Sequence, residues 1–503
     1  MCGIIAVTQA ISNEKMEKMM DEIEHRGPDE GDQAHLNRFH FAHQRLSIVG
    51  VEDGKQPIFD ENDTKALVCN GEIYNYEMLK KELENKNTTF TTASDSEVVL
   101  RGYEKWGLQA IQKLDGMFAF VLADTKNNTY VAARDTLGIK PLYYGELEDG
   151  SLIFASELKS IYALTDQVDE FPPGYYYTPD DGFVCYRMIE PVKKQDQLKM
   201  DRNDLLAGIR HHLQTAVKKR MMADVPVGVL LSGGLDSSLI SAIAMQVKEQ
   251  REPLHSFCVG FEGSPDLKAA RDVADAIGTI HHEYVYTKEE LIEALPKVIY
   301  HLESYDPSLV RSAIPCYFVS QLASRYVKVV LSGEGADELF SGYDYLQQIN
   351  DTEKLSKELV RIINTLHNIN LQRLDRMSMA HSLEGRVPFL DLDFVKYALK
   401  IPAQYKQSND DLMEKAILRE SFTETLPEHI LWRKKAEFSE GSGALDILEA
   451  YAEEEIDDVL FKQTVEKAPV PIRSKQECLY YLLFRQDYGH DSALDTVGHW
   501  ATS

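Results

Sequence analysis

The sequence has no apolar run near the roughly 20 residues that cross a bilayer. No basic segment followed by an apolar one opens it, as an export signal would. The chain is therefore expected in the cytoplasm. Its six cysteines, Cys2, Cys69, Cys185, Cys258, Cys316 and Cys478, form no CxxC pair and show no metal-ligand spacing, which excludes a disulfide framework and fits reduced thiols. Positive charge is scarce. The 54 Lys and Arg against 81 Asp and Glu leave a net charge of −27, which argues against nucleic acid or an anionic membrane as partner.

At 503 residues the chain is too long for one hydrophobic core and implies two or three domains. Its most informative stretch is Val227-Gly-Val-Leu-Leu-Ser-Gly-Gly-Leu-Asp-Ser-Ser238. Val227 to Leu231 lacks polar alternation, as a parallel strand buried on both faces does, and Ser237 to Val247 resumes with helical spacing. Between them Ser232, Gly233 and Gly234 lack bulk, so backbone N–H groups can approach an anion that also meets the positive end of the helix. No lysine follows the last glycine, as a Walker A loop needs, and no third glycine completes a dinucleotide fingerprint. Val327 to Leu331 is a second such strand, ending in Ser332-Gly-Glu-Gly-Ala-Asp-Glu338. Two such loops on one sheet would face each other across a crevice. Asp236 and Asp337 could then share a Mg²⁺ that shields a polyphosphate, predicting an ATP site with the α-phosphate open to attack.

Around Glu190 to Asp204 the chain is polar, charged and without apolar period, which divides it into residues 1–190, a linker at 191–204, and residues 205–503 with a helical C-terminal part. Before the linker, residues 117–155 alternate strands with Asn127-Asn128 and Asp149-Gly150 turns, a hairpin pattern. After it the pattern is βαβ, with a helix from Asp266 to Ile277 closed by Gly278 and a capping box at Thr287 and Glu290. Beyond Pro471 the sequence turns polar, and the last few residues are expected to be disordered.

SGGLDSS paired with SGEGADE resembles the ATP-pyrophosphatase synthetases, and nearly the whole chain resembles the glutamine-dependent asparagine synthetases. The resemblance implies a two-domain fold, α/β and α+β: an N-terminal αββα antiparallel sandwich of the Ntn-hydrolase type, then a C-terminal α/β domain with a parallel sheet. Removal of Met1 would leave Cys2 with its own α-amine. That amine, of pKa about 7.7 to 8.0, is close enough to a thiol's roughly 8.5 to accept its proton. By the resemblance Arg45, in His43-Gln-Arg-Leu-Ser47, holds the α-carboxylate of glutamine, a task suited to a guanidinium fork. Asp95 takes the ammonium, Glu72 binds substrate nitrogen, and the Asn70 amide with the Gly71 N–H forms an oxyanion hole. Read alone, Asp95 is equally a helix cap, and Arg26 in His25-Arg-Gly-Pro-Asp29 a loop anchor.

In the C-terminal half the resemblance assigns ATP to Leu231, Ser232, Gly233, Gly234, Asp236 and Ser237 of the first loop. Ser332, Gly333 and Asp337 of the second loop join them, Val259 reads adenine through its backbone, and Lys435 contacts phosphate. The acceptor is expected in Tyr305-Asp-Pro-Ser-Leu-Val-Arg-Ser312, at Arg311 and Ser308. Such synthetases commonly carry a Thr-Thr pair where this chain has Ser308 and Leu309, so amidation of a carboxylate other than aspartate's stays open. Glu334 is expected to assist as a base or carboxylate-positioning residue, and Arg386 and Asp391 read as an ion-paired helix-to-loop junction. The implied substrates are glutamine, aspartate and ATP with Mg²⁺, without a prosthetic group. An apolar internal channel for ammonia and, by analogy, a homodimer complete the expectation.

Overall fold

Alternation of side chains builds the N-terminal half. In the computed structural model, which describes residues 2–248, 253–407, 413–434 and 444–499, the strand Cys2–Val7 is buried on both faces. Ile4 and Ala6 point to a core shared with Val68, Ala119 and Val121 of a second sheet, whereas Ile5 and Val7 meet Met16 and Met19 of the helix Asn13–Asp21. The second sheet turns Leu67, Cys69, Phe118 and Phe120 outward onto helices carrying Leu79, Val98 and Val99. Each sheet has six strands, and their pairings are antiparallel, so the layers run helix, sheet, sheet, helix. The predicted turns at Asn127-Asn128 and Asp149-Gly150 join hairpins, with Asn128 and Gly150 at positive φ.

The C-terminal half carries a five-stranded sheet whose pairings are all parallel. Across it lie Ile280–Val285, His255–Gly260, Val227–Leu230, Val329–Leu331 and Glu384–Arg386. Strand order therefore reverses between Val227–Leu230 and Val329–Leu331, which are direct neighbours with Val227 opposite Val329. The two glycine-bearing loops leave the carboxyl ends of these two strands, at the switch point where open α/β sheets bind ligands. The expected helix closed by Gly278 runs Pro265–Ile277 and ends with that glycine left-handed, and the Thr287 and Glu290 capping box forms.

Two features differ from the sequence reading. Glu384–Arg386 is a strand although two of its three residues are charged, because both charges are buried against each other. The segment after Pro471 is not a polar tail: helix Lys475–Asp487 buries Cys478, Tyr480, Tyr481 and Phe484 in the large apolar core. Residues 500–503, expected to be disordered, lie outside the described residues. No helix among the described residues is long and apolar enough to cross a membrane.

The two halves meet through buried charge. Arg26, Lys140, Lys159 and Arg376 supply four cations and Glu157, Glu303 and Asp375 three carboxylates, all buried. Glu303 accepts from Arg376 at 2.7 Å, from the Lys159 ammonium at 3.1 Å, and from the backbone N–H groups of Leu158 and Lys159. Glu157 accepts from Arg26 at 2.6 Å and lies 2.8 Å from Arg376. Around this centre one apolar cluster runs through both halves, from Met16 and Ile139 to Leu205 and Val330. Removing one partner from such a set leaves an unmatched buried ion. Glu303→Ala should therefore cost about 3–5 kcal/mol, read as an earlier urea transition of the full chain.

Candidate functional site

In the N-terminal half the register of two strands does the positioning. Cys2 stands opposite Arg45 in the Cys2–Val7 and Phe39–Arg45 pair. The Cys2 N–H donates to the Asn70 Oδ1 at 3.0 Å, which leaves the Asn70 Nδ2 buried with no partner among the described residues. An orphaned amide donor beside a thiol is an anion site in waiting, since an unmade buried hydrogen bond costs about 1–3 kcal/mol until something accepts it. Gly71 follows with φ +147, and a Cβ there would stand 2.0 Å from the Met117 carbonyl, so no side chain fits.

The Arg45 fork donates to the Gly50 carbonyl at 2.6 Å and the Val51 carbonyl at 3.2 Å. That loop packs on Ser94, next to Asp95, because a Cβ on Gly50 would meet the Ser94 N at 2.8 Å. Asp95 is not a helix cap: the helix Glu97–Trp106 starts beyond it, and its Oδ2 accepts from the Ile73 N–H at 2.6 Å. Burial pushes its carboxyl up to about 6, opposed by that hydrogen bond. Burial also pushes the Cys2 thiol up, against the pull of the chain's amino terminus and Arg45. Glu72 is buried and faces the other half, 3.5 Å from the Arg386 guanidinium; burial raises its pKa well above the carboxylate range. The structure thus gathers Cys2, Arg45, Asn70 and Asp95 through one set of shared backbone contacts.

In the C-terminal half a cavity opens between the two loops. Its wall includes Leu231, Ser232, Gly234, Asp236 and Ser237 from the first loop, and Ser332, Gly333, Glu334 and Asp337 from the second. Val259 of the neighbouring strand also lines it. The loops touch: a Cβ on Gly333 would lie 2.9 Å from the Ser237 N. Asp236 and Asp337 converge on one cation, the Lys415 ammonium, at 2.6 and 2.8 Å. Burial alone would lower the pKa of Lys415, but Asp236 and Asp337 outweigh it and raise it. Two carboxylates meeting on one positive charge suit a Mg²⁺ that takes its other oxygens from phosphates and water.

Some expected site residues lie off this wall. Gly233 does not line the cavity; a Cβ there would strike Ala269 at 2.6 Å, so this glycine serves packing of the helix Pro265–Ile277. Ser308 and Arg311 are also off the wall. Arg311 donates to Ser308 Oγ at 3.2 Å and to Gln476 Oε1 at 2.9 Å, toward the C-terminal helix. Glu334 does face the cavity, in an ion pair with Arg373. Lys435 lies outside the described residues, and the cations on the described wall include Arg373, Lys415, Arg433 and Lys434. Asp391 does stand in a junction, capping the helix Leu392–Lys400 while pairing with Arg220. Arg26, read as a loop anchor, is fully buried and donates to the Cys2 carbonyl at 3.1 Å.

The glutamine amidotransferase domain family matches residues 1–203, and the asparagine synthase family matches residues 208–354 and 347–481. The chain is 40% identical over 519 residues to asparagine synthetase [glutamine-hydrolyzing] 2 of Arabidopsis thaliana, covering 99% of this chain and 89% of that one. A probable asparagine synthetase [glutamine-hydrolyzing] of Dictyostelium discoideum is 40% identical over 535 residues, 99% of this chain and 96% of its own. The chain belongs to the glutamine-hydrolysing asparagine synthetase family.

For a synthetase of this family, Lys415 and Arg373 are the residues that sequence reasoning missed. Lys415 precedes the short helix Ala416–Ser421 with φ +57, in a stretch with no glycine signal. Only the fold brings it to Asp236, 179 residues away. Lys415→Met would leave two carboxylates facing each other without their cation. Pyrophosphate release from Mg-ATP should then fall by about tenfold or more in kcat/KM, the cost of at least one charge-assisted contact, with glutamine hydrolysis unchanged.

Proposed function

We propose that this protein makes asparagine from aspartate, glutamine and ATP, releasing glutamate, AMP and pyrophosphate. The observation that carries the reading is the Asn70 amide donor beside Cys2, without a partner among the described residues, in a chain whose other half sets paired carboxylates at a switch-point crevice. With Met1 removed, the α-amine of Cys2 accepts the thiol proton, and the thiolate attacks the side-chain carbonyl carbon of glutamine. The developing oxyanion is met by the Asn70 Nδ2 and the Gly71 N–H, while Arg45 and Asp95 hold the amino-acid end and Glu72 the leaving nitrogen. Ammonia departs, and water hydrolyses the glutamyl thioester.

In the other half, a carboxylate is a poor electrophile at neutral pH. An oxygen of the aspartate β-carboxylate therefore attacks the α-phosphorus of Mg-ATP, and pyrophosphate leaves. Asp236 and Asp337 hold the metal of that substrate, Gly234 and Ser237 offer the helix end to phosphate, and Lys434, beside the expected Lys435, adds positive charge. Arg373, which shares the wall with Glu334, joins Ser308 and Arg311 as candidate for the acceptor carboxylates. Ammonia then displaces AMP from the acyl carbon. It must travel unprotonated, which calls for an internal channel lined by apolar residues between the two halves. The buried free thiols Cys69, Cys258, Cys316 and Cys478 suit a reducing cytoplasm.

Two experiments test this. Cys2→Ala should abolish glutamine-dependent synthesis and leave synthesis from ammonia intact, and a product other than asparagine by mass, from a panel of carboxylic acids, would overturn the acceptor. The second is a pH profile. Asp95 holds an ammonium only when ionised, so with its carboxyl pushed up to about 6 the KM for glutamine should rise as pH falls through that value. Asp95→Asn should bind glutamine poorly and without that inflection.

A further inference from the structure

The helix Asn370–Met379 belongs to the synthetase half, yet its side chains reach both sites. At its start the Asn370 Nδ2 donates to Glu338 Oε1 at 3.4 Å, and one turn on Arg373 pairs with Glu334, so two residues of the second loop are held from this helix. At its middle the direction changes. Asp375 accepts from Arg26 Nη1 at 2.9 Å and Nη2 at 3.4 Å, and from the Lys140 ammonium at 3.4 Å. Arg26 in turn donates through Nε to the Cys2 carbonyl. Cys2, Arg26 and Asp375 are all buried, so each contact is made without competition from water.

We propose that Asp375 is a positioning residue for the glutaminase nucleophile, holding Arg26 against the Cys2 carbonyl and tying that contact to the helix that grips the second loop. Arg26 answers to two carboxylates at once, Glu157 of its own half and Asp375 of the other. Glu157 engages only Nη1 and leaves the plane of the fork free, whereas Asp375 spans both terminal nitrogens and fixes it. A shift of the second loop against Arg373 reaches the nucleophile strand through one rigid helix of 10 residues. The inference rests on the two-site reading above and adds a residue and a direction of coupling to it.

The test uses the full chain and the substitutions D375N and D375E. D375N keeps the volume and loses the charge that faces Arg26 and Lys140. It should lower kcat for glutamine hydrolysis by about tenfold, the scale of one charge-assisted hydrogen bond, while KM for glutamine stays within about twofold because Arg45 and Asp95 are untouched. Synthesis from ammonia should be unchanged, and D375E should recover most of the hydrolysis. In the wild-type protein, Mg-ATP with aspartate should change the rate at which iodoacetamide alkylates Cys2, and D375N should erase that change. Unchanged hydrolysis in D375N, equal loss of both activities, or an alkylation rate indifferent to Mg-ATP in the wild type would each overturn the proposal. A wild-type protein inactive with ammonia, aspartate and Mg-ATP would sink the two-site reading itself.

Discussion

A guanidinium with no exposed surface holds this molecule together. Arg26 leaves none of its three nitrogens unbonded, and its partners belong to the nucleophile strand, to Glu157 beside it and to Asp375 of the other half. Taking seven charged side chains out of water is costly, and the cost is offset only where geometry lets each find its opposite. That demand fixes how the halves can sit. A small rotation would strand Glu303 from Arg376 or Asp375 from Arg26, and apolar packing alone carries no such directional penalty. The strand bearing Cys2 inherits its placement from this arrangement.

The same logic of close approach shapes the crevice. Gly333 lets one loop rest on the backbone of the other, and Gly342 leaves room where a Cβ would lie 1.9 Å from the Asp337 carboxylate. Gly71 does the equivalent at the glutaminase end. Small residues here permit the backbone and charged groups to come within contact of each other.

Much of this was legible because it is local. A strand that stops at Ser-Gly-Gly and restarts as a helix is written in consecutive residues, as are the hairpin turns and the Thr287 capping box. Asp95 was ambiguous between cap and ligand, and only its bond to Ile73 decides that it is no cap. Arg26 and Asp375 stand 349 positions apart, and no period or spacing connects them. Lys415 was invisible for the same reason. A glycine that packs against a helix and one that admits an anion look alike in sequence, so the contact of Gly233 with Ala269 was not legible, and the aromatic residues of the helix Lys475–Asp487 were masked by the charged residues among them.

The chain order of the interface charges bears on how the molecule comes into being. Arg26, Glu157 and Lys159 leave the ribosome well before Glu303, Asp375 and Arg376, and domains tend to fold in the order of their synthesis. An emerging amino-terminal sandwich therefore carries ions that face solvent until the later half docks. The contact that spans both terminal nitrogens of Arg26 is completed only once Asp375 has been made.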